Sequence, residues 1–424
     1  MSTITPAQPA IAVQPRLLSA SLAATFVAEF TSLTSFFLLL SVMPMLAAAA
    51  GAGSSTAGLM TGSLLLGTVA AEAMAAAAIG RFGCRMVLAA GALLLGAPAL
   101  AMLAREPQAV MVSVSLLRGL GFGLCGVVTG TLTARLLPPE RRGEGLGLLG
   151  LVSGGPAIVA LPAGVWLAGH HQAAAAAAMA AAIGLLPLAV LRWLPGEREP
   201  RRADRAGLTD RTDRAGRKPG DRGVGWVTGG ALRLPLIFAA ATIAAGVLDS
   251  FLPLVKGIAP NLASAALLVQ AITATLSRWQ AGKRGDRYGH ARLLIPALAV
   301  AALGMAAMLF AGSPVALFAG TALLSGTALL SGTALFAGMA LFGAGFGVIE
   351  NATFALLIEQ LPEAKASARW NFAYDAGYGA GPAVFGLICV RTGYPAAFGL
   401  TAAVILAVVP VALRERRTAS ELRH

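Results

Sequence analysis

The sequence predicts an all-α polytopic membrane protein with twelve transmembrane helices in two six-helix halves. Of the 424 residues, 57% are hydrophobic and 12% are charged, whereas charged residues make up about 25% of a typical soluble domain. Apolar runs of at least ~20 residues, enough for one helical crossing, recur along the chain between short charged segments. A transmembrane β-barrel would instead show alternating polar and apolar residues in segments of about ten, so the pattern favours helices.

Apolar windows of about 20 residues give the positions of the crossings. The first six fall in residues 17–194, the expected N-terminal half, and the last six in residues 231–413, the expected C-terminal half. The expected spans are 17–45, 56–79, 86–104, 109–134, 145–168, 172–194, 234–256, 262–280, 292–311, 337–359, 369–390 and 395–413.

The distribution of Lys and Arg predicts the orientation of these spans. With the N-terminus inside, cytoplasmic segments hold 28 of the 32 basic residues, external segments hold three, and Arg118 lies within a span. This split agrees with the positive-inside rule, and it makes the tails 1–16 and 414–424 cytoplasmic. The net charge of +13 therefore reflects topology and attraction to anionic lipid, and we expect no nucleic-acid partner.

The longest polar stretch, residues 195–230, separates the two sets of six spans. It is mixed in charge and poor in large apolar residues, as expected of a flexible linker. The same orientation makes this linker cytoplasmic. Two six-helix halves joined by such a loop are typical of transporters built from internal repeats.

Hexad repeats precede the tenth span, in the sequence VALFAG TALLSG TALLSG TALFAG. The apolar stretch 315–358 is about twice as long as one crossing requires. Because two crossings would place Lys365 and Arg369 outside, we expect one span over 337–359, with residues 315–336 as an extension of the C-terminal half. The extension could lie on the external side, form a re-entrant hairpin, or be a repeat expansion without function.

Five carboxylates and one arginine are expected inside spans. The carboxylates are Glu29, Glu72, Asp249, Glu350 and Asp375, and the arginine is Arg118. An ionised residue at the bilayer centre costs ~2.5–3.5 kcal/mol on insertion scales, so such residues usually face a bundle interior or a wet cavity. A carboxyl group partly removed from water can gain and lose a proton near neutral pH, as a proton-coupled carrier requires.

We assign proton coupling to a pair between Glu29 in span one and Arg118 in span four, with Asp249 and Glu350 as the next candidates. The alternative for any of these carboxylates is a position near the interface or a hydrogen bond between helices. Asp375 lies on the glycine-rich stretch that contains Gly377. We therefore expect it to contact a neighbouring helix, either in packing or in an inner gate.

The loop after span eight carries a recognisable pattern. The segment GKRGDRYGHARLL, residues 282–294, contains Gly282, Asp286, Arg287 and Gly289. It resembles the loop signature of the major facilitator superfamily, a family of membrane transporters. Its glycines permit a tight turn between helices. Asp286 is expected to meet a helix N-terminus of the other half, where the helix dipole favours negative charge, so the loop would take part in gating.

The corresponding loop of the first half reads IGRFGCRMVL, residues 79–88. Arg81, Gly83 and Arg85 match the same signature, whereas Gly80 stands where the family has its aspartate. The resemblance implies a second gating loop that lacks the acidic latch.

Span four reads LLRGLGFGLCG, residues 116–126. It resembles the arginine-glycine motif of the superfamily, in which the arginine, here Arg118, is linked to proton transfer. Gly121 and Gly123 are expected to permit close helix packing. A dinucleotide-binding site is excluded because no strand precedes these glycines.

Span five reads GLVSGGPAIVALPAG, residues 150–164. Gly154, Gly155 and Pro156 resemble the glycine-proline motif of antiporters, and we expect them to act in helix packing, with the prolines kinking the helix. The segment WNFAYDAGYGAGP, residues 370–382, also resembles drug and sugar exporters of the superfamily.

The predicted function is secondary active transport, with proton-coupled efflux of a small, moderately hydrophobic compound. The alternatives are proton-coupled import of a sugar or metabolite, and a non-transporting membrane sensor or assembly partner. The expected partners are a small-molecule substrate, protons and the lipid bilayer, and the chain is expected to be a monomer.

No phosphate loop, zinc spacing or nucleophile motif occurs outside the spans, so we expect no enzymatic activity, cofactor or metal. Arg outnumbers Lys by 28 to 4, and Ala and Gly are abundant. This composition suits a GC-rich bacterial genome and therefore an inner-membrane location.

Overall fold

The computed structural model describes residues 19–103, 108–137, 142–195, 232–310, 326–361 and 363–421. These residues are almost entirely helical and include no β-strand, which confirms the predicted all-α fold class. The N-terminal tail 1–16, residues 196–230 of the linker and residues 315–325 of the hexad repeats lie outside the described residues.

Seven α-helices make up the described part of the N-terminal half. They are α1 (Ala20–Leu40), α2 (Val42–Ala49), α3 (Ser54–Gly96), α4 (Gln108–Leu136), α5 (Arg142–Gly169), α6 (Ala173–Leu185) and α7 (Pro187–Val190). Short 3₁₀ helices follow α3 and α7, at Ala97–Leu103 and Leu191–Trp193.

Six α-helices make up the described part of the C-terminal half. They are α8 (Arg233–Phe251), α9 (Pro260–Tyr288), α10 (His290–Ala307), α11 (Gly326–Gln360), α12 (Glu363–Ala407) and α13 (Val409–Glu421). Short 3₁₀ helices follow α8 and α10, at Leu252–Leu254 and Met308–Phe310.

Two of the long helices change direction at a glycine. Gly83 in α3 has φ 84° and ψ 161°, and Gly393 in α12 has φ 74° and ψ 169°. This backbone conformation is essentially restricted to glycine. Both glycines fall in expected loops, so α3 contains span two and the first part of span three, and α12 contains span eleven and most of span twelve.

Nine helical segments among the described residues are long and apolar enough to cross a bilayer, which supports a polytopic membrane protein. Two of the nine contain the breaks at Gly83 and Gly393. Helix α9, whose last turns carry several charges, is not among the nine. These helices are compatible with twelve crossings, and that count remains a prediction.

The hexad repeats end inside a continuous helix. The described part of helix α11 is already helical at Gly326, before the expected start of span ten near residue 337. Leu335, which belongs to the last hexad, is 3% exposed and packs in the main hydrophobic core. The end of the repeat region therefore contributes to the bundle.

One hydrogen bond and one ion pair connect the two ends of the described chain to residues that flank the linker. The Ser21 hydroxyl of α1 donates to the Trp193 carbonyl at 2.8 Å, just before the linker. Arg233, just after it, lies 3.8 Å from Glu415 of α13. We call this end of the bundle the linker side.

The two halves pack against each other at the opposite end. Near the start of α3, the Ser54 hydroxyl donates to the Gly386 carbonyl of α12 at 3.0 Å. Near the start of α9, the Ser264 hydroxyl donates to the Pro162 carbonyl of α5 at 2.7 Å. These inter-half bonds hold the bundle together at the end remote from the linker side.

Candidate functional site

A cavity of about 500 Å³ lies between the two halves. This volume is within the range of small-molecule sites, roughly 300–1,000 Å³. The N-terminal half contributes a mostly apolar wall from α1 and α5, made of Phe37, Ser153, Gly154, Ala157 and Leu161. The C-terminal half contributes α8, α9, α11 and α12, and its polar lining residues include Asp249, Gln270, Arg278, Glu350, Asn351, Tyr374 and Tyr378.

An ion pair lies in the part of the cavity lining that the C-terminal half contributes. Arg278 Nη1 of α9 donates to Glu350 Oε1 of α11 at 2.8 Å. The Glu350 side chain is 12% exposed and the Arg278 side chain 48% exposed. The pair supplies both a positive and a negative group to the cavity while its net charge is zero.

Arg278 is a site residue that the sequence reasoning missed. It was counted only as one of the basic residues that set the orientation. The available signal was its position inside the expected span 262–280. In the structure, Ala271, Thr275, Arg278 and Gly282 lie on one face of the helix, and all four line the cavity.

Asp249 of α8 is the second carboxylate in the cavity wall. Its side chain is 5% exposed and accepts a hydrogen bond from the Tyr378 hydroxyl of α12 through Oδ2. The other oxygen, Oδ1, has no hydrogen-bond partner among the described residues. Tyr378 stacks on Tyr374, with ring centroids 5.4 Å apart, so an aromatic surface continues from the carboxylate.

Glu29 of α1 lies behind the apolar wall. Its carboxylate accepts hydrogen bonds from the Thr129 hydroxyl of α4 and from the Ser153 hydroxyl of α5, the latter at 3.5 Å. Ser153 lines the cavity. Glu29 is therefore connected to the cavity through one hydroxyl group.

Arg118 is buried farther from the linker side than Glu29 is. Its guanidinium donates to the Leu95 carbonyl at 2.6 Å and to the Ser35 carbonyl at 2.8 Å. The expected ion pair with Glu29 is not formed in this structure. Ser35 follows Glu29 by six residues, which is about 9 Å along a helix.

Glu72 and Asp375 join the two halves away from the cavity. Their carboxyl groups, on α3 and α12, lie within hydrogen-bonding distance of each other. Asp375 is 6% exposed. The side chain contacts a neighbouring helix, and its role in packing or gating stays a prediction.

Residues 25–329 match the family model of the Major Facilitator Superfamily. The chain belongs to the Major Facilitator Superfamily. It is therefore a multi-pass membrane transporter and not an enzyme. No curated protein has a sequence that matches the chain.

The fold is similar to those of solved transporter structures. The D-xylose-proton symporter is 17% identical with a TM-score of 0.68, and the match covers 93% of this chain and 95% of that one. The nucleoside transporter NupG is 14% identical with a TM-score of 0.67, over 94% and 99% of the two chains. The xylose transporter XylE from E. coli, in a partially occluded inward open conformation, is 14% identical with a TM-score of 0.65, over 93% and 97%.

The two loops that resemble the superfamily signature use the same glycine conformation. Gly83 has φ 84° and Gly289 has φ 88°. Each lies where one helical segment ends and the next begins. The backbone thus requires glycine at equivalent places in the two halves.

The acidic residue of the second loop does not make the expected contact. Asp286 is exposed in the last turn of α9 and has no hydrogen-bond or ion-pair partner in the described parts of the chain. The expected contact with a helix N-terminus of the other half is therefore absent here. In the first loop, Arg85 Nε donates to the Leu194 carbonyl at 3.0 Å, and Arg81 lies over the Phe82 ring at 5.3 Å.

The glycines expected to pack helices fall into two groups. A Cβ at Gly121 or Gly123 would overlap the backbone of α3, and one at Gly377 would overlap Thr242 and the backbone of α8. Gly154 instead lines the cavity, and a Cβ there would meet no atom within 4 Å. The packing expected of Gly154 is therefore wrong.

The antiporter-like segment of α5 is one continuous helix. It runs from Arg142 to Gly169 through Pro156 and Pro162. The Pro162 carbonyl accepts the hydrogen bond from the Ser264 hydroxyl, at the end of the bundle remote from the linker side. Neither proline ends the helix.

Proposed function

We propose that the chain is a proton-coupled secondary transporter that exports a small, moderately hydrophobic compound. The observation that supports this best is the cavity between the halves, because Asp249 and Glu350 line it together with an apolar wall. Carboxylates at membrane depth that face a cavity are typical of proton pathways. The apolar wall suits a substrate with a hydrophobic part.

Proton coupling is assigned to the carboxylates that reach the cavity. Asp249 and Glu350 line it directly, and Glu29 reaches it through Ser153. Arg118 donates to carbonyls of two other helices, which supports a positioning role that fixes α1 and α3 relative to α4. In this proposal Arg118 acts on coupling by keeping Glu29 near the cavity.

The outward direction rests on the resemblance of α5 and of residues 370–382 to exporters of the superfamily. The 28-to-3 split of basic residues supports an inner-membrane protein whose linker side faces the cytoplasm. Import of a sugar or metabolite is the rival, because similar structures include a D-xylose-proton symporter and a nucleoside transporter.

Transport in proteoliposomes tests the proposal. The purified chain would be reconstituted and supplied with a panel of radiolabelled compounds that contains dyes, amines, D-xylose and uridine. A pH gradient of either sign would then be imposed. We expect at least one compound to accumulate in the compartment from which protons flow out, as antiport requires. Accumulation along the direction of proton flow would favour import, and no gradient-driven movement of any compound would contradict proton-coupled transport.

Two variants test whether gradient-driven accumulation depends on the carboxylates that line the cavity. Asp249→Asn and Glu350→Gln remove a charge with little change of volume, and each should abolish gradient-driven accumulation. Glu359→Gln is the matched control, because the Glu359 side chain is 61% exposed and lies outside the cavity. Accumulation should persist in the control.

A further inference from the structure

The wall of the central cavity carries one carboxylate that no charged group balances. Glu350 is neutralised by Arg278 at 2.8 Å. The hydrogen-bond partner of Asp249 is the neutral hydroxyl of Tyr378. When Asp249 is ionised, the lining therefore has a net charge of minus one.

The cavity lining also contains two hydrogen-bond acceptors without a partner among the described residues. Asp249 Oδ1 and Asn351 Oδ1 are buried and have no partner among the described residues, and both residues line the cavity. Leaving a buried acceptor unpaired is unfavourable, because the acceptor has lost its bond to water and gained none in return. A ligand that donates hydrogen bonds would remove this cost.

Aromatic rings line the cavity that contains this carboxylate. Tyr378 and Tyr374 stack with nearly parallel planes at 19°. Phe346 and Phe37 line the same cavity from α11 and α1. Ring faces attract cations through their quadrupole, and they also pack against apolar parts of a ligand.

We infer that the transported compound carries a protonated amine, which binds at Asp249 Oδ1 with its apolar part against Tyr374 and the α5 wall. The ammonium supplies the missing counter-charge and can donate more than one hydrogen bond, so it can serve Asn351 Oδ1 as well. The inference rests on the proposed transport function and adds the substrate class to it. A neutral polyol would satisfy the acceptors but would leave the charge of Asp249 unbalanced.

The inference has a defined pH dependence. The titratable groups that share the cavity lining with Asp249 are Tyr378 and Tyr374 of α12 and the Arg278–Glu350 pair of α9 and α11. When the pH falls and Asp249 takes up a proton, the amine loses its charged partner. Amine binding should therefore weaken as the pH is lowered, while binding of a neutral compound should not.

Calorimetric titration of the purified full chain with matched ligands tests the inference. The probes are 2-(1-naphthyl)ethylamine and its neutral N-acetyl derivative, which share the ring system. We expect the amine to bind at least about tenfold more tightly than the amide, because its charge-assisted hydrogen bond to the carboxylate is stronger than the bond that the neutral amide can make. Asp249→Asn should remove this preference, and Glu359→Gln should keep it.

Asn351→Ala is a second variant for the case in which Asp249→Asn does not fold. It should lower amine affinity several-fold, and the pH dependence of the parent protein gives a third, variant-free readout. Equal binding of amine and amide by the parent, or a preference that survives in Asp249→Asn, would overturn the amine assignment.

The proteoliposome panel separates this inference from the proposed function. If a neutral compound such as D-xylose is driven by the pH gradient and the amines are not, transport stands and the amine assignment fails. If no compound in the panel moves, the proposed function fails, and the amine inference fails with it.

Discussion

Arg278 and Glu350 form an ion pair that joins α9 to α11 at the wall of the central cavity, with Nη1 and Oε1 2.8 Å apart. The pair lies within the C-terminal half, and Glu350 is much the more buried partner. It fixes two helices that line the site and leaves Asp249 as the unbalanced carboxylate. Because the pair is neutral overall, the net charge of the cavity lining depends on the ionisation of Asp249.

Removing one member of the pair should destabilise the protein more than removing both. Arg278→Gln leaves Glu350 without its cation, whereas the double variant Arg278→Gln/Glu350→Gln leaves no isolated charge. Because Arg278 is about half exposed, we expect a coupling energy of about 1 kcal/mol, near the upper limit for exposed pairs. A double-mutant cycle from thermal unfolding of detergent-solubilised protein measures it. Strictly additive single effects would show that the pair contributes nothing.

Gly83→Ala should destabilise the protein, because φ 84° with ψ 161° is a conformation that other residues rarely adopt. The expected cost is about 1–3 kcal/mol. Gly80→Ala is the matched control in the same loop region, since Gly80 is helical and a Cβ there would meet no atom within 4 Å. Unfolding temperatures of the two variants give the comparison, and an equal effect of both would contradict the role of the Gly83 conformation.

Glu29→Gln should retain folding and lose proton coupling. The glutamine amide oxygen can accept a hydrogen bond from one of the two hydroxyls of Thr129 and Ser153, and its NH2 group can donate to the other, but the amide cannot take up a proton. Exchange of labelled for unlabelled substrate should persist without a gradient. The initial rate of gradient-driven uptake should fall by about 100-fold or more, as for removal of a proton-transfer group. If accumulation is unchanged, coupling depends on Asp249 and Glu350 alone.

The basic residues predict which side of the membrane each end faces. The three native cysteines are buried, so new surface cysteines can be labelled against a low background. Gln172→Cys, exposed at the end remote from the linker side, should react with a membrane-impermeant maleimide in intact cells. Arg416→Cys, exposed on the linker side, should react only after permeabilisation. The reverse pattern would invert the topology.

Much of the architecture follows from local sequence signals. Apolar runs predicted the helical segments and the loops in which the breaks at Gly83 and Gly393 fall, because hydrophobic length is a property of short segments. The helical conformation of residues 326–336 was not predicted. The hexads are apolar on every side, so their composition does not indicate which of their residues belong to a helix.

The site was less predictable, because its contacts depend on how helices from distant parts of the chain meet. Glu29 and Arg118 were both expected near mid-span. The first crossing continues through α2 to Ala49, however, so Ser35, and not Glu29, reaches the level of Arg118. Likewise, no spacing within α9 could indicate that Arg278 pairs with Glu350 of α11.

In the proposed mechanism, carboxylates in and beside the cavity couple proton flow to transport of a small compound. The most direct test is the proton movement that a transported compound causes in reconstituted parent, Asp249→Asn and Glu29→Gln proteins, recorded with a pH-sensitive dye inside the vesicles. We predict that adding the compound drives protons across the membrane in the parent and that both variants abolish this movement. Proton movement in both variants equal to that of the parent would show that neither Asp249 nor Glu29 couples proton flow to transport.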